Sequence, residues 1–352
     1  MPVGNNSAPV KASSVSYSQI TVWVKSVERG ESFDGRESAR NWLDGIYGTN
    51  PTTIKYPTFQ PVTYSMNYIN HNDAFNIAKA MNESGNIYGL TKSIDSHLMK
   101  NSEWGAVAYL SQSQYGLDGT NITVNNINLN SGGAKKISSE GKVGVESIYA
   151  VTGCTTSSTN STSILENIEN INGTTENIAN NGVYTWDQLS GCKSSSSGSI
   201  YGVYDLSGGM FERTADYIAN SNENLKKYGE SMTYVDNKLR TVSTKYTTVY
   251  PFDSSTDNTE IENNNTNLNM GSNNNYNKNI LIYGDGIRET STDGTGSTSW
   301  YHDDSYYLGL DYSWLVRGGS LWSGLGAGLF CFGNSGGDSY YNAGFRAILI
   351  VS

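Results

Sequence analysis

The chain has 352 residues, a formal net charge of −10 and a sequence pI of about 4.8. This length suffices for one large domain or two ordinary domains with a substantial core. The acidic balance argues against nucleic acid as a partner, and the lack of any long apolar stretch argues against direct membrane insertion. Only 16% of the residues are charged, so the polarity comes mainly from Asn, Ser, Thr, Tyr and Gly. This profile is more typical of extracellular adhesive or virion proteins than of metabolic enzymes.

The chain divides into an N-terminal extension, residues 1–60, and a main domain, residues 61–352. In the extension, residues 17–25 alternate in a way that predicts a strand. Residues 36–47 favour a short helix. The N-terminus lacks the basic region and apolar core of a signal peptide, so we expect export by another route or an additional upstream segment.

Two helices are predicted early in the main domain. The first covers residues 72–82, where Asn72 or Asp73 is a suitable N-cap. The second begins at Asn101 and repeats apolar side chains, Trp104 among them, at helical spacing.

Beyond these helices, short strands and tight turns are predicted, which together with the helices give an α+β domain. The stretches 155–181 and 253–278 are dominated by Asn, Ser and Thr. They are interpreted as long surface insertions, partly mobile.

The C-terminal segment, residues 317–352, combines a glycine-rich frame with a stretch of adaptable side chains. The apolar run 347–351 predicts a buried final strand. Residues 320–342 contain no Lys, Arg, Glu, Gln or Met. Such a stretch is neither a charged solvent face nor a helix. Tyr offers contact area at low entropic cost, while Ser, Gly and Asn adapt their hydrogen bonds, so the composition favours a binding surface.

Four segments, in this order, resemble motifs of the formylglycine-generating enzyme family, a variant of the C-type lectin fold. They are HLMKNSEWGAVAYL (97–110), IYGVYDLSGGMFERTADY (200–217), RGGS (317–320) and GFR (344–346). The resemblance implies two helices packed on short irregular antiparallel sheets, with much loop. It assigns a supporting role to the scaffold residues Trp104, Gly208, Arg317, Gly318, Gly319, Trp322, Gly344, Phe345 and Arg346.

The C-terminal segment is also similar to the variable proteins of diversity-generating retroelements in gut bacteria and their phages. In those systems, adenine-directed rewriting turns Asn codons into many others, but never into codons for Lys, Glu, Gln, Met or Trp. Residues 320–342 lack the first four, and Trp322 is therefore assigned to the frame. The resemblance implies a non-enzymatic binding protein displayed on a virion or bacterial cell surface. Its ligand would be a protein or glycan on another cell or host.

This resemblance predicts which positions vary and face the ligand. They are Ser320, Leu321, Ser323, Leu325, Cys331, Gly333, Asn334, Ser335, Gly337, Ser339, Tyr340, Tyr341 and Asn342. The alternative is that Leu321, Leu325 and Phe330 belong to the core. For Phe330 and Phe332 we favour burial, because they alternate like a strand packed on the scaffold.

Two other functions compete with this hypothesis. One is a copper-dependent oxidase of the same fold, which is expected to use two nearby thiolates as soft copper ligands. The C-terminal segment has only Cys331, so Cys154 or Cys192 would have to fold back to it. Those two cysteines could instead pair with each other, or remain free. The other competitor is a purely structural virion or pilus protein.

Metal and nucleotide sites have weaker support. Acidic residues that could supply oxygen ligands for calcium follow residue 284, namely Asp285, Glu289, Asp293, Asp303 and Asp304. They do not have the spacing of an EF-hand. The three histidines are scattered, and neither a P-loop nor a GxGxxG motif after a strand occurs. No cofactor is therefore expected, with calcium as the one candidate.

Overall fold

The computed structural model describes residues 65, 69–86, 88–130, 150, 152–156, 163–166, 183–253, 272–279, 281–340 and 342–351. The predicted N-terminal extension and most of both predicted insertions lie outside the described residues. The helices are α1 (His71–Ala80), α2 (Asn101–Gln112), α3 (Glu223–Thr233) and α4 (Ser272–Lys278). The strands are β1 (Ile94–Leu98), β2 (Ile127–Asn130), β3 (Cys154–Thr156), β4 (Ser163–Glu166), β5 (Val183–Thr185), β6 (Phe211–Ile218), β7 (Tyr234–Val235), β8 (Lys238–Leu239), β9 (Thr248–Tyr250), β10 (Trp314–Arg317), β11 (Phe332–Ser335), β12 (Ala343–Phe345) and β13 (Ala347–Val351).

Helix α1 confirms the first predicted helix with a shifted start. Its N-cap is Asn70, whose side chain accepts a 2.8 Å hydrogen bond from the Asp73 backbone N–H. The Asp73 carboxylate lies in the first turn, where negative charge is favourable. Phe75 and Ile77 on the buried face pack into the main core.

The described elements form an α+β architecture with few helices and small sheets.

Helix α2 confirms the second predicted helix and ties it to the C-terminal segment. The Glu103 carboxylate accepts 2.8 Å hydrogen bonds from the Lys100 backbone N–H and from His97 Nε2. Trp104 is buried, and its indole N–H donates a 2.7 Å bond to the Leu329 carbonyl. This bond joins residues 225 positions apart in the chain.

The central sheet is mixed, whereas antiparallel sheets were predicted. Its strand order is β11-β10-β6-β12, and β9 also pairs with β6. Strand β10 is antiparallel to β6 and β11, but β12 and β9 run parallel to β6. Parallel neighbours need long connections, and the chain provides them, because α3 precedes β9 and more than a hundred residues separate β6 from β12.

Strand β6 buries several polar side chains. Glu212 forms an ion pair with Arg346, and Arg213 donates a 2.8 Å bond to His71 Nδ1. Asp216 accepts a 2.8 Å bond from the Asn101 backbone N–H at the start of α2. Buried charged groups are tolerated only with such partners, so β6 links the helices to the C-terminal strands.

Two further elements differ from the prediction. The final strand, β13, pairs antiparallel with β1 in a two-stranded sheet and is only half-buried, with Ile350 43% exposed. A two-stranded sheet leaves one face open, which is why the predicted full burial is wrong. Helix α4 lies in a stretch predicted to be a surface insertion, yet its Tyr276 is buried in the core.

Helix α3 was not predicted, and it packs against α1. A Cβ atom at Gly229 would come within 2.0 Å of the buried Trp314 ring, so this position of the helix requires glycine. The Trp314 ring also stacks against His71, with ring centroids 4.4 Å apart. No helix among the described residues combines the length and apolar character needed to cross a bilayer.

Candidate functional site

A groove of about 670 Å³ lies along the C-terminal segment. Its walls come from β10 and β11, the loop after β11, helix α3 and the chain before β10. The lining residues are Phe211, Asn224, Tyr228, Asp304, Tyr306, Asp311, Tyr312, Val316, Cys331, Phe332, Gly333, Asn334, Ser335, Gly336, Asp338, Tyr340, Asn342 and Ala343.

Strand β11 forms the floor of the groove. It runs antiparallel to β10, with Asn334 opposite Leu315 and Ser335 opposite Trp314. The Asn334 side chain donates a 2.7 Å hydrogen bond to the Tyr307 carbonyl, which fixes β11 to the segment before β10.

The loop after β11 is held by two buried residues, Arg213 through its side chain and His71 through its backbone N–H. Arg213 donates to the backbone carbonyl of Asp338 and to Ser335 Oγ. The His71 backbone N–H donates a 3.1 Å bond to the Gly337 carbonyl. Burial, followed by the neighbouring Arg213 charge, lowers the pKa of His71 well below its usual value, so the ring is neutral and can accept from Arg213.

The far end of this loop is also fixed through its backbone. The Phe211 N–H donates a 2.9 Å bond to the Asn342 carbonyl where β12 joins β6. The loop is therefore held at both ends by bonds to carbonyl groups, which any residue supplies.

The opposite wall was missed by the sequence prediction. Helix α3 contributes Asn224 and Tyr228, and the segment before β10 contributes Tyr306, Asp311 and Tyr312. The density of tyrosines between residues 301 and 312 was a usable signal for a binding surface. Helix α3 reaches the groove through tertiary packing around Trp314. A local sequence pattern does not show such packing.

The groove is aromatic and acidic. Tyrosines and two phenylalanines supply most of its apolar surface, and Asp304, Asp311 and Asp338 supply carboxylates. The Asp304 side chain accepts a 2.9 Å bond from Ser297, and burial raises its pKa above the usual value. Such a lining can provide contact area and hydrogen-bond acceptors to a ligand.

The structure divides the predicted ligand-facing positions into two groups. Cys331, Gly333, Asn334, Ser335, Tyr340 and Asn342 line the groove. Ser320, Leu321, Ser323, Leu325, Gly337 and Ser339 are not among its lining residues. Tyr341 lies outside the described residues.

Several of these positions are buried, which corrects the prediction that their side chains face solvent. Leu321 is 1% exposed and packs with Met210, as the core alternative required. Ser320 is buried, and its backbone N–H donates a 3.0 Å bond to Ser323 Oγ in a tight turn. Leu325, by contrast, is 60% exposed, so the core alternative is wrong there.

Three further predicted positions, Cys331, Gly333 and Gly337, are also buried. Cys331 is 1% exposed, so it reaches the groove only with an edge of its surface, and burial raises the pKa of its thiol well above the usual value. Gly333 packs against Val316, and Gly337 has a φ of +92° directly beside the Trp314 indole. A side chain has no room at Gly337, so this position is structural. Phe330 and Phe332 are fully buried, as predicted.

The predicted scaffold residues meet beneath the turn at 318–319. The Gly208 N–H donates a 2.9 Å bond to the Gly318 carbonyl, and both glycines have positive φ. A Cβ at Gly318 would lie 3.1 Å from the Trp104 ring, and one at Gly319 would lie 2.8 Å from Ala327. Arg317 is fully buried and donates a 3.1 Å bond to the Leu329 carbonyl.

The remaining predicted scaffold residues, Trp322, Gly344, Phe345 and Arg346, differ in how deeply they are buried. Arg346 donates to the Glu212 carboxylate and to the Tyr204 carbonyl from a largely buried position, and Gly344 is buried in β12. Phe345 is only half-buried, although it packs against the main core. Trp322 is 47% exposed in a surface turn, so its assignment to the packed frame is wrong.

The proposed calcium ligands form internal hydrogen bonds. Asp285 accepts from the Tyr250 hydroxyl, Asp293 from the Thr295 N–H, and Asp303 from the Phe330 N–H. Among the described residues, no three His, Cys, Asp or Glu side chains are grouped so that they could hold a metal ion. The three cysteines are buried free thiols, and Cys154 and Cys192 do not line the groove.

Comparison with known proteins adds no family to this geometry. No protein-family model matches the chain, and no curated protein is significantly similar to it.

Proposed function

We propose that this chain is a non-enzymatic ligand-binding protein whose groove recognises a protein or glycan on another cell or host. We further propose that a diversity-generating retroelement rewrites its C-terminal segment. One observation carries the proposal: Gly333, Asn334, Ser335, Gly336, Asp338, Tyr340 and Asn342 of that segment line a groove, while Arg317, Leu321 and Phe330 before them are buried.

The way in which the loop is held supports exchange of its side chains. Arg213, His71 and Phe211 hold it through the carbonyls of Gly337, Asp338 and Asn342. A change of side chain at an outward-facing position leaves these bonds in place. Asn334 and Ser335 are exceptions. The Asn334 side chain donates to the Tyr307 carbonyl, and Ser335 Oγ accepts from Arg213 and from the Gly337 N–H.

The contacts between the four sequence motifs support a C-type lectin fold of the formylglycine-generating enzyme type. Helix α2 bonds to Leu329 through Trp104, Gly208 bonds to Gly318, and β6 pairs with both β10 and β12. The four segments that resemble the family motifs are therefore neighbours in space, although they are far apart in the chain. Activity does not follow from a fold, so the function depends on the groove itself.

The groove has the size and chemistry of a recognition site. Its volume of about 670 Å³ lies within the range of about 300–1,000 Å³ that is typical of ligand pockets. Tyrosine side chains give contact area at low entropic cost. Display in several copies on a virion or cell surface would strengthen weak binding at each site.

The DNA around the gene tests the retroelement. We expect a reverse transcriptase gene and a near-copy of the codons for residues 320–343 that differs from them mainly at adenines. Substitutions should concentrate at Tyr340 and Asn342, be fewer at Asn334 and Ser335, whose side chains form hydrogen bonds within the protein, and spare Gly337. Absence of both the reverse transcriptase gene and the near-copy would refute retroelement diversification.

Binding of the labelled full chain to a panel of bacterial and host cells, measured by flow cytometry, tests the groove. Tyr312→Ala should reduce binding to any cell that the unaltered chain labels, because it removes a groove wall. Tyr115→Ala is the matched control, since Tyr115 is exposed and does not line the groove. Equal losses in the two variants, or no loss in either, would place recognition elsewhere.

A further inference from the structure

We propose that the groove takes a cationic side chain, lysine or arginine, from a protein ligand. This inference rests on the proposed function, because it names the ligand chemistry of the same groove.

The charge of the groove is one-sided. Asp304, Asp311 and Asp338 line it, and no Lys or Arg is found among its lining residues in the part of the chain that the structure describes. Asp311 is exposed and Asp338 is half-buried, so both can approach a ligand. A surface of this sign attracts cations and repels anionic ligands such as sialylated glycans or phosphate groups.

The buried arginine under the loop does not line the groove. Arg213 lies under the loop, where its guanidinium N–H groups donate to His71 Nδ1, Ser335 Oγ and the Asp338 carbonyl. Its side chain is fully buried, so it supports the loop rather than facing the groove.

The aromatic residues suit the same ligand. Tyr228, Tyr306, Tyr312 and Tyr340 line the groove beside the carboxylates. A tyrosine ring attracts an ammonium or guanidinium group at its face, more strongly when water is displaced. The chain already shows one such contact at the groove margin, where the exposed Lys227 ammonium lies 5.0 Å from the centroid of the Tyr228 ring.

The mixture of surfaces favours a protein over a glycan. Lysine and arginine combine an apolar stem with a charged tip, which matches tyrosine walls followed by carboxylates. The volume of about 670 Å³ also accommodates such a side chain together with its neighbours.

Fluorescence anisotropy with the full chain and labelled peptides tests the proposal. The probes are a Gly-Ser decapeptide with three lysines, the same peptide with acetylated lysines, the same peptide with glutamates, and a glucosamine oligomer. All are titrated at about 0.15 M salt, where attraction to the overall net charge is screened within about 8 Å.

We expect the lysine peptide to bind at least tenfold more tightly than the acetylated and glutamate peptides. Asp311→Asn should weaken lysine-peptide binding about two- to fivefold, because it removes one carboxylate at an exposed site. Asp118→Asn, which removes the same charge at an exposed residue outside the groove lining, should not change it. Lys227→Ala should tighten binding, since it removes the competing cation.

Three results would overturn the inference. They are equal binding of the lysine and acetylated peptides, equal weakening by Asp311→Asn and Asp118→Asn, and no binding of the lysine peptide up to millimolar concentration. If the glucosamine oligomer bound more tightly than the lysine peptide, the ligand of the groove would be an amino sugar and not a protein side chain. The proposed function would survive any of these results if Tyr312→Ala still abolished cell binding, so the two failures are distinguishable.

Discussion

Residues 317–333 and residues 334–342 are adjacent in the chain, yet their side chains meet different surroundings. In the first stretch, here called the frame half, Arg317, Phe330 and Phe332 are fully buried. In the second, the groove half, Asn334, Ser335 and Tyr340 are half-buried and line the groove. The frame half is held by side-chain packing, and the groove half is held mainly through backbone carbonyls.

This difference indicates where sequence change is tolerated. A packed side chain is fixed by the volume and polarity around it, whereas a backbone bond is independent of residue type. The boundary is not sharp in either direction. Trp322 and Leu325 are exposed within the frame half, and Gly337 is buried within the groove half.

Phe332→Ala should give the largest loss of stability. The ring is fully buried and packs edge-on against Tyr307, so we expect the free energy of unfolding to fall by about 3–5 kcal/mol. Urea denaturation followed by tyrosine and tryptophan fluorescence measures this change. A loss below about 1 kcal/mol would mean that the frame half is not a packed core.

Gly337→Ala tests the exception within the groove half. The added Cβ would lie 2.4 Å from Trp314 Nε1, and the φ of +92° is unfavourable for any other residue. We expect a loss of about 2 kcal/mol or more in the same assay. Gly336→Ala is the matched control, because the nearest atoms to its added Cβ are 3.8 Å away. Equal losses of stability at the two glycines would mean that Gly337 is not required for the structure of the loop.

The sequence predicted the helices better than the sheet. Helices α1 and α2 carry clear periodicity, so local pattern was sufficient to locate them. Helix α3 was missed because its burial comes from Gly229 against Trp314 and from packing on α1. The parallel pairing of β12 with β6 depends on how distant segments meet, which local alternation does not encode.

The candidate site was predicted only in part, again because a local pattern does not show how distant segments meet. Composition pointed to residues 320–342, and the structure places only some of them, from Cys331 onward, around one groove. Composition could not separate Ser320 from Ser339, since burial depends on the fold around each position. It also gave no reason to join Tyr228 and Tyr312 to Tyr340, because these residues come from three separate elements.

Two buried carboxyl groups that do not line the groove, Asp216 and Asp303, should contribute most to the pH dependence of stability between about pH 6.5 and 8. Burial raises the pKa of Asp216 to about 7 and that of Asp303 to about 8. Between about pH 6.5 and 8 the folded chain therefore binds more protons than the unfolded chain, and stability should fall as pH rises. Neutral His71 has the opposite effect, but only below its usual pKa of about 6.5.

Each of these carboxyl groups contributes at most about 1.4 kcal/mol per pH unit to the slope. Asp303→Asn keeps an acceptor for the Phe330 N–H and removes the titration, so it should flatten the upper part of the curve. Denaturation at several pH values between 6.5 and 8 measures this. An unchanged slope in Asp303→Asn would contradict the assignment.

The smallest effect is expected for Ser339→Asn. Ser339 is half-buried in the groove half, so the larger polar side chain can turn to solvent and the stability should change by no more than about 0.5 kcal/mol. The same substitution at Ser320 adds the same atoms to a buried turn and should cost about 1–3 kcal/mol. Because both serines were equally good candidates for variation by sequence, this pair isolates the contribution of the fold. Equal costs at the two positions would mean that the boundary between frame half and groove half has no energetic basis.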